Sequence, residues 1–79
     1  MISPERMKEL GATGVPEGLR PEAQVIGENG NAFNLIAIVQ KALKNVDMTG
    51  KSDELSMTYF RCESYEELLQ LLAEYADLT

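Results

Sequence analysis

Histidine and tryptophan are absent from this chain, and cysteine occurs once, at Cys62. One cysteine excludes a disulfide within the chain. Without histidine, the usual zinc ligand sets are missing as well, and no metal site or cofactor is expected. Basic residues are few, 7 against 13 acidic, for a net charge of −6. Phosphate contacts supply most of the affinity of a nucleic-acid binder, so a conventional one shows a basic stripe. This balance speaks against that class. Long apolar runs are also missing. The longest, Leu35 to Val39, is far short of the ~20 residues that span a bilayer. The start, Met1-Ile2-Ser3-Pro4-Glu5, has neither the basic nor the apolar segment of a signal peptide. A reducing cytoplasmic setting without membrane contact is the expectation.

What is present is globular in composition: 79 residues, 44% hydrophobic and 25% charged, fitting one small domain. Residues 1–22 read as a short helix and a Gly/Pro-rich arm, and residues 23–79 as a helical core. Ser3 is placed to cap the first helix, Pro4 to open it and Gly11 to stop it. Ile2 and Met7 stand at hydrophobic-staple positions. Residues 11–22 hold three glycines and two prolines, which forbid regular structure. Val15 and Leu19 are the residues that could pin this arm to a core.

The organising stretch is Val25 to Val46. Gly27, Asn29 and Gly30 accept positive φ cheaply. Asn31 is the expected cap of a helix over 32–45. At about 100° per residue, Ala32, Leu35, Ile36, Val39, Ala42, Leu43 and Val46 share one face. Phe33 and Ile38 fall outside it. Ser64-x-x-Glu67 is a capping-box pattern, predicting a last helix over 65–77 with an apolar arc about 180° wide. The other side carries Glu66, Glu67, Glu74 and Asp77. Between these helices, Leu55-Ser56-Met57-Thr58-Tyr59 alternates like a strand. Leu55, Tyr59 and Cys62 also follow helical spacing, with Ser52 or Thr49 as cap. The residues alone leave helix and strand even. In the strand alternative, residues 55–61 pair with residues 23–26 in an α+β fold.

No serine, cysteine or lysine has an evident general base, so catalysis is not expected and Cys62 reads as a core residue. Gly27, Asn29, Gly30 and Asn31 form the candidate anion or ligand site, because helix N-termini favour negative charge. The string V-I-G-E-N-G-N-A-F-N-L-I there resembles the K-homology G-x-x-G loop, which clamps nucleic-acid phosphates. Glu28 stands in the loop and would repel them. The wider segment G-E-N-G-N-A-F-N-L-I-A-I-V-Q-K-A-L-K, followed by S-Y-E-E-L-L, resembles small uncharacterised proteins of phages and mobile elements. Asn29 replaces the usual aspartate there, and Ala37 replaces a glycine. That resemblance implies a compact helical fold with no catalytic residues, and tips residues 53–62 toward helix.

The resulting expectation is a mainly α bundle of three helices plus a short N-terminal helix. Its expected function is non-enzymatic: a small acidic protein-binding module, a phage or mobile-element accessory factor acting on a host protein, with counter-defence as one form of that role. Partner-binding candidates are Phe33, Ile38, Glu66, Glu67, Glu74 and Asp77. A homo-oligomer, most simply a dimer, would cover the surplus apolar faces. The alternatives are a nucleotide or single-stranded nucleic-acid binder through Gly27–Gly30, and a structural oligomer component.

Overall fold

Local capping chemistry sets three of the four helix starts. The computed structural model describes residues 2–79. In it, α1 (Pro4–Leu10) is capped by the Ser3 hydroxyl, which accepts from the Arg6 amide at 3.1 Å. Ile2 and Met7 are both buried, as a staple requires. Gly11 ends α1 at φ 77°. The Ala12 amide donates back to the Met7 carbonyl and the Gly11 amide to Lys8, the bond pair of a left-handed helix stop. Helix α2 (Ala32–Asn45) is capped by Asn31, whose side chain accepts from the Phe33 amide. Helix α4 (Tyr65–Ala73) is capped by Ser64, which accepts from the Glu67 amide.

Helix α3 (Thr49–Thr58), extended by a 3-10 turn at Tyr59–Arg61, settles the ambiguous segment as helix. The strand alternative for residues 55–61 is thereby overturned. The helix also starts four residues before the expected 53, and neither Ser52 nor Thr49 caps it. Its cap position is Met48, without a side-chain cap bond. The cause lies upstream. Asp47 adopts φ 62°, and the Met48 amide donates to the Leu43 carbonyl while the Asp47 amide donates to Lys44. That stop normally uses glycine; aspartate is one of the few other residues that tolerate it. It reverses the chain within three residues. Contacts of Gln40 with Ser52 and Ser56, and of Phe33 with Tyr59, run in opposite order along the two helices. Helices α2 and α3 are therefore antiparallel neighbours. Ser52 and Thr58 are buried on α3 where a helical core position is usually apolar. The Thr58 hydroxyl donates to the Glu54 carbonyl at 3.0 Å, so its burial leaves no orphan donor.

Helix α4 ends at Ala73 rather than the expected 77. The Glu74 carbonyl accepts from the Val15 amide at 2.8 Å, and the Asp77 amide donates to the Pro21 carbonyl. These long-range bonds outcompete another helical turn. The chain instead forms β2 (Asp77–Leu78), parallel to β1 (Glu22–Ala23) with Glu22 opposite Asp77. The extended piece near residue 23 thus pairs with the last strand, not with residues 55–61. Helix accounts for 59% of the structure, and two-residue strands add little, so the fold is mainly α.

One apolar cluster unites these elements. Leu35, Ile36, Val39 and Leu43 of α2 meet Leu68, Leu71 and Leu72 of α4, Leu55 of α3, Met7 and Leu10 of α1, and Val15 of the arm. Each large aliphatic side chain so buried stabilises the fold by about 1.5–3 kcal/mol. Val46, expected on the buried face, is 46% exposed because the helix stop carries it outward. Leu19, one of the two expected pins of the arm, is also exposed on a 3-10 turn at Glu17–Leu19; Val15 alone is buried. No helix among the described residues is long and apolar enough to cross a membrane.

Candidate functional site

The Gly27–Asn31 loop is internally satisfied. The Asn29 side chain accepts from the Asn31 amide at 3.0 Å, and the Asn29 carbonyl accepts from the Asn34 side chain at 2.8 Å. Asn31 takes the Phe33 amide, and the Gly30 carbonyl accepts from the Tyr65 hydroxyl. Two amides that a bound anion would use are therefore already donating. Of the three loop residues that accept positive φ cheaply, Gly27 alone uses it, at 86°. The side-chain bonds of Asn29 and Asn34 shape the turn in place of backbone strain.

The acidic side chains do not form one free ridge. Glu67 takes two hydrogen bonds from Arg6, each 2.9 Å, and one from the Glu63 amide at 3.0 Å. The expected capping box is thus shifted by one residue, with Glu67 reaching the amide before the cap. Glu74 lies 3.6 Å from Arg20. Glu66 and Asp77 are exposed. The Arg6 hydrogen bond, followed by that of the Glu63 amide, lowers the Glu67 pKa from 4.5 to about 2. A carboxylate with a depressed folded pKa adds stability above its unfolded pKa and loses it as pH falls through the folded one. Glu67→Gln should therefore flatten the acid limb of stability between pH 4.5 and about 2. Urea midpoints of both proteins across that range test this; parallel curves would contradict it.

Ile38 is half-buried and packs on the core. It borders a hollow of about 500 Å³ beside β1, with Ala23 and Ala42. Phe33 lies elsewhere, 69% exposed. Its ring meets Tyr59 edge-on at 6.2 Å, and Tyr59 meets Phe60 edge-on at 5.8 Å. Phe60 is 63% exposed and carries the Arg61 guanidinium over its face at 5.6 Å. Tyr65, 47% exposed, closes the group from the start of α4. The sequence has five aromatic residues. Four of them gather where the N-terminus of α2, the turn after α3 and the N-terminus of α4 converge; only Tyr75 is a fully buried core ring.

A cavity of about 330 Å³ opens among Phe33, Ile36, Tyr59, Cys62, Tyr65 and Leu68. A larger hollow of about 550 Å³ runs along α1 past Ile2, Met7 and Ala12, but holds no aromatic side chain. Cys62 is half-buried in the aromatic cavity. Burial, then the Glu67 charge, pushes its thiol pKa up, which disfavours the nucleophilic thiolate. No group of three or more His, Cys, Asp or Glu among the described residues is placed to hold a metal ion.

Of the expected partner-binding residues, Phe33 lines this end and Glu66 stands beside its rim in the first turn of α4. Tyr59, Phe60, Glu63 and Tyr65 were not singled out by sequence. Tyr65 sits within the α4 apolar arc by helical angle, and Tyr59 and Phe60 lie in the segment that reads equally as helix or strand. The available signal was the run Tyr59-Phe60-Arg61-Cys62, too bulky throughout for one buried face. Comparisons with protein-family models, curated proteins and solved structures gave no match.

Proposed function

We propose that this chain is a non-enzymatic protein-binding module working through its aromatic end. One observation carries the proposal: four of the five aromatic side chains converge at one surface, three of them exposed. Tyr and Phe are enriched at protein interfaces, and a contiguous apolar patch on a small soluble protein marks an interaction site. Met57, exposed one turn before Phe60 on α3, extends the patch, since residues three apart on a helix are neighbours. The likeness of the G-E-N-G-N-A-F segment to phage and mobile-element proteins supports a further proposal, that the partner is a host protein.

The test is affinity capture from host-cell lysate with the parent and with Phe33→Ala/Phe60→Ala. The variant should lose the specifically retained protein. Its urea midpoint should stay close to that of the parent, because exposed substitutions cost within about 0.5 kcal/mol each. Undiminished capture by a folded variant would refute this surface.

A further inference from the structure

Resting on the binding-module reading, we propose that the aromatic end takes a short segment of a partner protein bearing one bulky apolar anchor flanked by Lys or Arg. The cavity of about 330 Å³ lies at the low end of ligand pockets, ~300–1,000 Å³. It suits one or two side chains rather than a large cofactor. Its walls are mainly aromatic and aliphatic, and among the described residues Glu63 is the only charged one lining it. The Glu63 side chain is 83% exposed, and among the described residues its one ion-pair contact is Arg6 at 3.5 Å. That arginine already makes two shorter bonds to Glu67. Exposed Glu66 stands beside the rim in the first turn of α4.

Among the described residues, two arginines reach this end, and only Arg6 is paired with a carboxylate. Arg6 is bound to Glu67, and Arg61 donates to the Leu10 carbonyl at 3.0 Å and covers Phe60. Lys41 and Lys44 lie eight and eleven residues beyond Phe33 on α2, roughly 12 and 16 Å along the axis at 1.5 Å per residue. Arg61 keeps its positive charge over Phe60, outside the cavity lining, while the charge at the cavity itself, from Glu63 with Glu66 beside it, is acidic. A second copy, itself at −6, would set Glu63 and Glu66 against like charges in a two-fold contact. Like charges across an interface suppress pairing, and opposite ones promote encounter. The complementary occupant is a basic segment of another protein.

Selection of a random dodecapeptide display library on the immobilised protein tests this. Fluorescence anisotropy of the best binder would then be compared among the parent, Phe33→Ala/Phe60→Ala and Glu63→Lys/Glu66→Lys. The expected pool is net positive with a conserved apolar anchor. Affinity should fall at least tenfold in the aromatic variant, and several-fold both in the lysine variant and on raising salt. Peptides lost in the aromatic variant but neutral or acidic, and bound equally by the lysine variant, would overturn the basic segment while leaving the binding module standing. Peptides insensitive to the aromatic variant would overturn both. So would an unselected library with light scattering showing dimers that Phe33→Ala/Phe60→Ala dissolves, because the end would then be a self-contact.

Discussion

Gly14→Ala is expected to lower the unfolding free energy by about 2–3 kcal/mol, read from urea midpoints. Gly14 is buried at φ 70°. A Cβ there would meet the Glu74 carbonyl oxygen at 2.9 Å and the Met7 side chain at 3.4 Å. The obstacle is backbone, and that same carbonyl accepts the Val15 amide, so it cannot retreat without losing a bond. The left-handed conformation costs a non-glycine residue about 1–2 kcal/mol, and overpacking about 1–3 kcal/mol. Stiffening of the unfolded chain returns about 0.4–1 kcal/mol. Gly18→Ala is the control: nothing lies within 4 Å of a Cβ at that position. Equal midpoints for the two variants would disprove the close approach. At ~0.05–0.15 kcal/mol per residue, total stability for a chain of this length is only about 4–12 kcal/mol, so the loss is a large share of it.

Glu54→Ala should cost a similar amount, about 2–3 kcal/mol, because it unpins the same arm from the opposite side. The Glu54 carboxylate accepts from the Thr13 amide at 3.0 Å, the Thr13 hydroxyl at 2.7 Å and the Gly14 amide at 3.2 Å. It also accepts from the Tyr75 hydroxyl, with Lys51 at 3.9 Å. One side chain on α3 thus joins the arm to the segment after α4. Hydrogen bonds to a charged group contribute about 1.5–3 kcal/mol, and stranded donors add to the loss. Burial opposes ionisation of Glu54, but the bonds from Tyr75 and Thr13 outweigh it and hold its pKa below 4.5. Its contribution is therefore complete above that pH and drains away in acid. Burial, then Glu54, pushes the Tyr75 hydroxyl pKa upward, so Tyr75 remains the donor. Combined with Gly14→Ala, the loss should fall short of additive, since both changes loosen one joint. Full additivity would show that the two changes act on separate joints, and a Glu54→Ala midpoint equal to the parent's that this carboxylate does not hold the arm.

Features encoded within a few residues were legible in the sequence. Ser3, Asn31 and Ser64 cap as expected, because a cap needs only a short polar side chain and the next three amides. The α2 core face was legible for the same local reason, apart from Val46. What escaped depended on partners far along the chain or on an unusual residue. Asp47 does a glycine's work, so the early start of α3 carried no signal. The end of α4 is decided by Val15 and Pro21, more than fifty residues away. The aromatic end shows the same limit. Helical angle places Tyr65 correctly around α4, but its exposure depends on how far neighbouring elements reach. Glu67, expected to face solvent, is claimed by Arg6 from the other end of the chain.

The parallel pairing of β1 with β2 also dictates when the molecule can finish folding. Glu22 waits for Asp77 and Val15 for Glu74. Contacts between distant residues carry a loop-closure cost that slows folding. On the ribosome, α2 and α3 are made and can pair, with Glu54 in place for Thr13 and Gly14, while Val15 still lacks its acceptor at Glu74. The arm, made before the segment it pairs with, is then among the last stretches to settle. Until residues 74–79 emerge, Val15 and Ala23 have no mates, and the nascent chain displays part of its interior.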